Sequence, residues 1–218
     1  MIEHVCERAR RARTVDTVIV ATDDDRIAAA VDAFGGTAVM TRSDHATGTD
    51  RLAEVAAALD SEIVVNVQGD EPQIAPEAID AAVTRLLETP ADQMSTLRRR
   101  IEDPADLANP SVVKVVVDGA GYALYFTRAA VPFTRPGHPA PPAWRHLGLY
   151  VYRREFLLTI ARLPETPLER SEGLEQLRVL EHGFRISTAE TTFDTIGVDT
   201  PEDLERVRKA MAVAGSQP

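Results

Sequence analysis

The stretch Ile63-Val64-Val65-Asn66-Val67-Gln68-Gly69-Asp70-Glu71-Pro72 constrains the fold more than any other part of this chain. Its three consecutive β-branched residues suit a strand buried on both faces of a parallel sheet. The run then stops at a glycine, two adjacent acids and a proline. In parallel sheets ligands bind just past the carboxyl ends of the strands, which is where Gln68 to Glu71 are expected to lie. The same residues also suit a solvated turn, since Gly-Asp and Pro are common punctuation.

Around this strand, helical and strand patterns alternate. Residues 1–13 predict a helix with Ile2, Val5 and Ala9 on one face, and 15–21 a strand. Thr22-Asp23-Asp24 caps a helix over 25–34 that Gly35-Gly36 stops. A short strand at 38–40, a helix at 50–59, a strand at 62–67 and a helix opened by Pro76 follow. Such alternation is the signature of a doubly wound parallel sheet. The second half changes character. Residues 112–117 and 122–126 flank Asp118-Gly119-Ala120-Gly121 as an antiparallel hairpin, and the proline-rich 132–142 is a loop. A strand at 144–152 and a helix at 154–163 come next, then one helix over 168–182 with Gly183 as its stop. A strand at 184–189 and a last helix at 201–211, capped by Thr200, complete the pattern. The tail 214–218 is expected to be disordered.

The 218 residues carry a net charge of −10, which argues against a nucleic-acid partner, because such proteins present a basic face. Arg98-Arg99-Arg100 is too short a basic run to alter this. A small anionic ligand remains compatible, since a few arginines and a metal ion reverse the field locally. No run approaches the roughly 18 apolar residues of a membrane span. Cys6 is the only cysteine, so an intrachain disulfide is excluded. The charged start lacks the apolar centre of a signal peptide, and a cytoplasmic protein is expected.

Neither G-x-x-x-x-G-K-[ST] nor G-x-G-x-x-G occurs, which disfavours P-loop kinases and Rossmann dehydrogenases. G-x-S-x-G and H-E-x-x-H are missing too. Polar clusters at strand ends remain. Asp70 and Asp199 each follow an apolar-rich segment and precede a proline-started element. Two such carboxylates, with a nucleotide's phosphates, complete the oxygen shell of Mg²⁺. Each is also placed to cap a helix.

The stretches HVCERAR, VATDDDRIAAAV, TRSDHATGTDRLAEV, VNVQGDEP, NPSVVKVV, GYALYFTRAAVPF, RHLGLYVYR, PLERSEGLEQLRVLEHG and GVDTPEDLERVR occur in this order from Met1 to about Lys209. Together they resemble the 3-deoxy-manno-octulosonate cytidylyltransferase (CMP-KDO synthetase) family. The resemblance implies a Rossmann-like α/β nucleotidyltransferase fold with a mixed sheet. It implies a single domain over 1–213, with an antiparallel insertion over 112–152 that serves dimerisation. It implies transfer of CMP from CTP to a sugar acid, with Mg²⁺, by a cytoplasmic homodimer feeding lipopolysaccharide synthesis. On the family's pattern Asp70 and Asp199 are the catalytic metal ligands, while Gln68 and Arg42 lie near the cytidine. Arg128, His146, Tyr150, Glu175 and Gln176 line the sugar-acid pocket.

Other roles remain open for these residues. Arg128 also suits an exposed strand-end cation, His146 a hydrogen-bonded core histidine, and Tyr150 a core ring. Glu175 is three residues from Arg178, so it could pair locally. Two departures from the family stand out. A strand and a basic, glycine-containing phosphate loop are expected ahead of the helix at Met1, about thirty residues of a βα unit, so the chain is expected to be N-terminally incomplete. Asp50 stands where the family more often has Glu. The alternatives are an enzyme for another sugar acid, sialic acid or an amino-substituted octulosonate, and a truncated non-catalytic relative.

Overall fold

The computed structural model describes residues 1–193, 197–198 and 200–214. These fall into two compact units, one made of Met1–Asp44, Val67–Asp80 and the segment from Phe193 on, the other of His45–Asn66 and Ala81–Thr192.

In the first unit, α1 (Ile2–Ala9) buries Val5, Cys6 and Ala9 on one face. It ends four residues sooner than its pattern predicts, because turns carry the chain from Arg10 to Thr14. There the Asp80 carboxylate accepts from the Thr14 N–H at 2.9 Å and its hydroxyl at 2.8 Å. With Thr14 so anchored, the strand expected over 15–21 shortens to β1 (Val20–Thr22). The helix α2 (Asp25–Ala33) starts where the Asp24 carboxylate accepts from the Arg26 N–H at 2.8 Å. It stops at Gly35, whose φ of 71° lets the Gly36 N–H reach back to the Val31 carbonyl. β2 (Ala38–Met40) pairs in parallel with β1. The last helix, α9 (Pro201–Ala214), is capped by Thr200, whose hydroxyl accepts from the Asp203 N–H at 3.2 Å.

The second unit holds α3 (Gly48–Ala57), β3 (Ile63–Asn66), the later turns of α4 (Pro76–Leu87), β4 (Met94–Arg100) and α5 (Pro104–Ala108). β5 (Lys114–Val117), β6 (Ala123–Thr127), β7 (Trp144–Arg153), α6 (Arg154–Ile160), α7 (Pro167–Glu172), α8 (Gln176–Glu181) and β8 (Ser187–Glu190) complete it. Its sheet is mixed. β4 runs parallel to β8, and the ten-residue β7 runs antiparallel to β4, β5 and β3. β5 and β6 form the expected antiparallel hairpin.

Two expectations are corrected here. β3 is not a strand buried on both faces of a parallel sheet: among the described residues its partner is the antiparallel β7, and only Val64 in it is buried. The β-branched run shows strand propensity and apolar demand, but not the direction of the neighbour. Nor is 168–182 one helix. Gly173 turns left-handed (φ 63°, ψ 44°) and splits it into α7 and α8. Leu174 and Leu177 are nevertheless core residues, buried beside Val64, Phe126, Tyr152 and Phe156, with Leu180 packed against them. Of the tail 214–218 expected to be disordered, Ala214 instead ends α9, and 215–218 lie outside the described residues.

Candidate active site

β7 carries the centre of the second unit's polar cluster. A strand turns alternate side chains to opposite faces. Leu147, Leu149 and Val151 form one buried row of β7. His146, Tyr150 and Tyr152 form the other row, with Tyr150 half-buried and ring centroids 5.4 Å apart between His146 and Tyr150 and 6.1 Å between Tyr150 and Tyr152. His146 is 7% exposed and meets Phe126 edge-on at 4.8 Å. The Thr96 hydroxyl lies 2.9 Å from His146 Nε2 and 2.7 Å from the Leu149 carbonyl. Since a hydroxyl has one proton and Leu149 takes it, Nε2 is the protonated nitrogen and Nδ1 an acceptor. Burial, helped by the Arg145 charge, pushes the His146 pKa down to about 3. The ring therefore acts as a neutral hydrogen-bonding group.

Glu175 and Gln176 follow the Gly173 break, and their surroundings differ. Glu175 is exposed and its Oε2 accepts from the Thr49 hydroxyl at 2.6 Å. The local pair with Arg178 does not form, because Arg178 makes a bidentate, buried pair with Glu169 at 2.6 and 2.8 Å. Gln176 is 4% exposed, and its Nε2 finds no hydrogen-bond partner among the described residues. A buried donor left unpaired costs about 1–3 kcal/mol, so this amide marks a place for an acceptor from a ligand.

Arg128 belongs to a third group of the same unit. Its Nε donates to the Glu172 carbonyl at 2.8 Å and one terminal nitrogen to the Pro110 carbonyl at 3.1 Å. The Glu172 carboxylate accepts from the Arg128 N–H and the Thr127 hydroxyl. Lys114, fully buried, donates to the carbonyls of Asn109, Val112 and Arg128. Two of Arg128's five donors thus brace the backbone, which leaves the outer end of the fork for other partners.

In the first unit Gln68 and Asp70 share one turn, closed by the Glu71 N–H on the Gln68 carbonyl. The Val198 N–H donates to the Asp70 carbonyl at 3.0 Å. The chain next to Asp199 is therefore tied to Asp70, while Asp199 itself lies outside the described residues. Arg42, on the turn after β2, meets Asp44 at 2.9 Å in the open. No group of three or more His, Cys, Asp and Glu side chains that could cage a metal occurs among the described residues. A hard ion held through one or two carboxylates, phosphate and water fits this donor set, and Mg²⁺ is such an ion.

The cytidylyltransferase family pattern matches residues 1–187. The 3-deoxy-manno-octulosonate cytidylyltransferase of Solibacter usitatus is 55% identical over 209 residues, covering 96% of this chain and 83% of that protein. Its counterpart from Geobacter sulfurreducens is 54% identical, covering 95% and 87%. The chain belongs to the 3-deoxy-manno-octulosonate cytidylyltransferase family. A solved CMP:2-keto-3-deoxy-manno-octonic acid synthetase complexed with CTP matches it with a TM-score of 0.93 and 45% identity, over 98% of this chain and 88% of that one. A 4-diphosphocytidyl-2C-methyl-D-erythritol synthase from Anaerococcus prevotii, 14% identical with a TM-score of 0.61, shares the fold alone.

For this cytidylyltransferase, sequence reasoning missed Thr49, Asn66, Thr96 and Tyr152. Thr49 stands just before the helix expected at 50–59, Asn66 and Tyr152 lie inside expected strands, and Thr96 lies in none of the elements expected from the pattern. The available signal was the alternation of His146, Tyr150 and Tyr152 along one strand.

Proposed function

We propose that this chain transfers CMP from CTP to 3-deoxy-manno-octulosonate, releasing diphosphate. The observation that carries this is the agreement of nearly the whole chain, in sequence and fold, with enzymes of that name. In this reading a sugar hydroxyl attacks the α-phosphate of CTP and diphosphate leaves. Asp70 and Asp199 hold Mg²⁺, supported by the hydrogen bond that ties Val198 to Asp70. Bound there, the ion supplies positive charge that favours the deprotonated hydroxyl and offsets the charge of the phosphates. Gln68 and Arg42 serve the cytidine side.

The acceptor side uses His146, Tyr150, Glu175, Gln176 and Arg128. Neutral His146 offers Nδ1 as an acceptor, Gln176 offers its buried amide, and Glu175 its free oxygen, so hydroxyls are met by both kinds of partner. The outer end of the Arg128 fork answers the sugar carboxylate. Groups held in this way contribute chiefly by orientation. The reading includes one catalytic domain, a cytoplasmic location and service to lipopolysaccharide synthesis. It also includes a homodimer through the 112–152 insertion, where Leu124 and Phe133 are exposed. Among the described residues no helix is long and apolar enough to cross a membrane.

The test is turnover of the protein with CTP, Mg²⁺ and a panel of sugar acids, followed by diphosphate release and product mass. Preferred formation of CMP-3-deoxy-manno-octulosonate is expected. Preference for a sialic acid or an amino-substituted octulosonate would redirect the acceptor assignment, and no turnover with any acceptor would reject the enzymatic reading.

A further inference from the structure

We infer that Thr49 and Tyr152 form a hydroxyl relay that positions the Glu175 carboxylate for the acceptor sugar. This rests on the proposed placement of Glu175 on the acceptor side. Thr49 lies in the first turn of α3, 126 residues before Glu175, and still donates to its Oε2 at 2.6 Å. The Tyr152 hydroxyl, on β7, hydrogen-bonds with the Thr49 and Asn66 side chains. Thr49 has one hydroxyl proton, and a carboxylate can only accept, so that proton goes to Glu175. Tyr152 is then the donor to Thr49. The order is Tyr152 to Thr49 to Glu175.

The tyrosine is built to remain a donor. It is 2% exposed, and burial together with the Glu175 charge raises its pKa above the ordinary phenol value. The relay draws on α3, β3 and β7, which fixes the threonine from below while the carboxylate at its outer end stays exposed. Arg178, also within electrostatic reach of Glu175 and Asp50, is committed to Glu169 and does not replace Thr49. Glu175 Oε1 accepts no hydrogen bond among the described residues, so one oxygen is held and the other is offered. Hydrogen bonds to ionised groups are short and strong, and a chain of them polarises each member.

The experiment is steady-state kinetics of the protein with CTP, Mg²⁺ and the sugar acid for Glu175→Gln, Thr49→Val, Thr49→Ser, Tyr152→Phe and the Thr49→Val/Glu175→Gln double variant. Thr49→Val should raise KM for the sugar acid about tenfold and Tyr152→Phe about threefold, with KM for CTP unchanged. Thr49→Ser should return KM to within about twofold of the parent, a rescue that bulk packing would not give. On the Glu175→Gln background, Thr49→Val should add less than about twofold, because the two residues act through one contact. Fully multiplicative effects, or an equal rise in KM for CTP, would overturn the relay. An unchanged sugar-acid KM in Glu175→Gln would overturn the acceptor-side placement itself. A raised value there with none in Thr49→Val would reject the relay alone. Should Thr49→Val not fold, Thr49→Ala and Tyr152→Phe read the same cycle.

Discussion

Arg42 and Asp44 of the first unit pair in the open, with side chains 67% and 72% exposed, whereas Arg178 and Glu169 of the second pair at 11% and 5%. The contrast extends to the residues proposed for catalysis. Gln68 and Asp70 sit on a surface turn, while His146 and Gln176 are buried among the core's own side chains. An exposed pair such as Arg42–Asp44 contributes about 0–1 kcal/mol. The second unit's polar groups are part of its packing. Their orientation is set before any ligand arrives, and changing them disturbs the fold as well as the site.

The hardest way to break this comparison is Arg178→Met. It leaves the Glu169 carboxylate buried without its partner, and a loss of about 3–5 kcal/mol of stability is expected. Denaturant titration measures it, and a loss below about 1 kcal/mol would mean that the second unit's polar pairs are as dispensable as the first unit's.

Asp70→Asn should show the opposite behaviour. The shape is kept and a hard-cation ligand is weakened, so kcat should fall by about 10² or more, with Asp199→Asn alike. Melting should move far less than in Arg178→Met, because the tie from Val198 runs to the Asp70 backbone carbonyl, which the substitution retains. Near-parental turnover in either variant would remove these residues from the metal site. A large loss of stability would place Asp70 with the buried class.

A third contrast appears with pH. His146 has its pKa depressed to about 3 in the folded chain, against about 6.5 unfolded. Between those values the unfolded chain binds a proton that the folded chain does not. Stability is therefore lost as pH falls through the window from about 6.5 to about 3. Moving from pH 7 to pH 5 should cost about 2 kcal/mol through this one group. In His146→Phe that component of the pH dependence should vanish. If it persists unchanged, the titration belongs elsewhere and the ring is not held neutral by burial.

Much of this was legible in the sequence, and the rest was not for physical reasons. Element type followed from periodicity and capping: Asp24, Gly35, Pro76 and Thr200 each mark a boundary that the fold respects. The antiparallel hairpin at Asp118-Gly121 was readable on the same grounds, whereas the mixed sheet was implied only by the family resemblance. Strand direction was not, since Ile63-Val64-Val65 packs equally well beside a parallel or an antiparallel neighbour. The Thr49–Glu175 contact spans 126 residues and leaves no local pattern. A local pair of Glu175 with Arg178 was left open because the two lie three apart on one helix. That pair does not form because the Arg178 guanidinium is committed to the buried Glu169 carboxylate, although the two residues still share a helical turn after the Gly173 break.

The smallest effect tests that break directly. Gly173 has φ 63° and ψ 44°, and a Cβ added there would meet nothing within 4 Å. The cost of Gly173→Ala is therefore backbone strain alone, about 1–2 kcal/mol for an L-residue in the left-handed region. Gly173→Asn should cost less, because asparagine tolerates this conformation better. The ordering Gly, Asn, Ala in melting temperature is expected, with about 2–4 °C for each kcal/mol in a chain of this size. The same strain acts two residues before Glu175, so Gly173→Ala should also raise the sugar-acid KM modestly while leaving that for CTP alone. An alanine that stabilises the protein would mean that 168–182 runs as the single helix its periodicity suggests. The second unit's site would then not be set by the turn at Gly173.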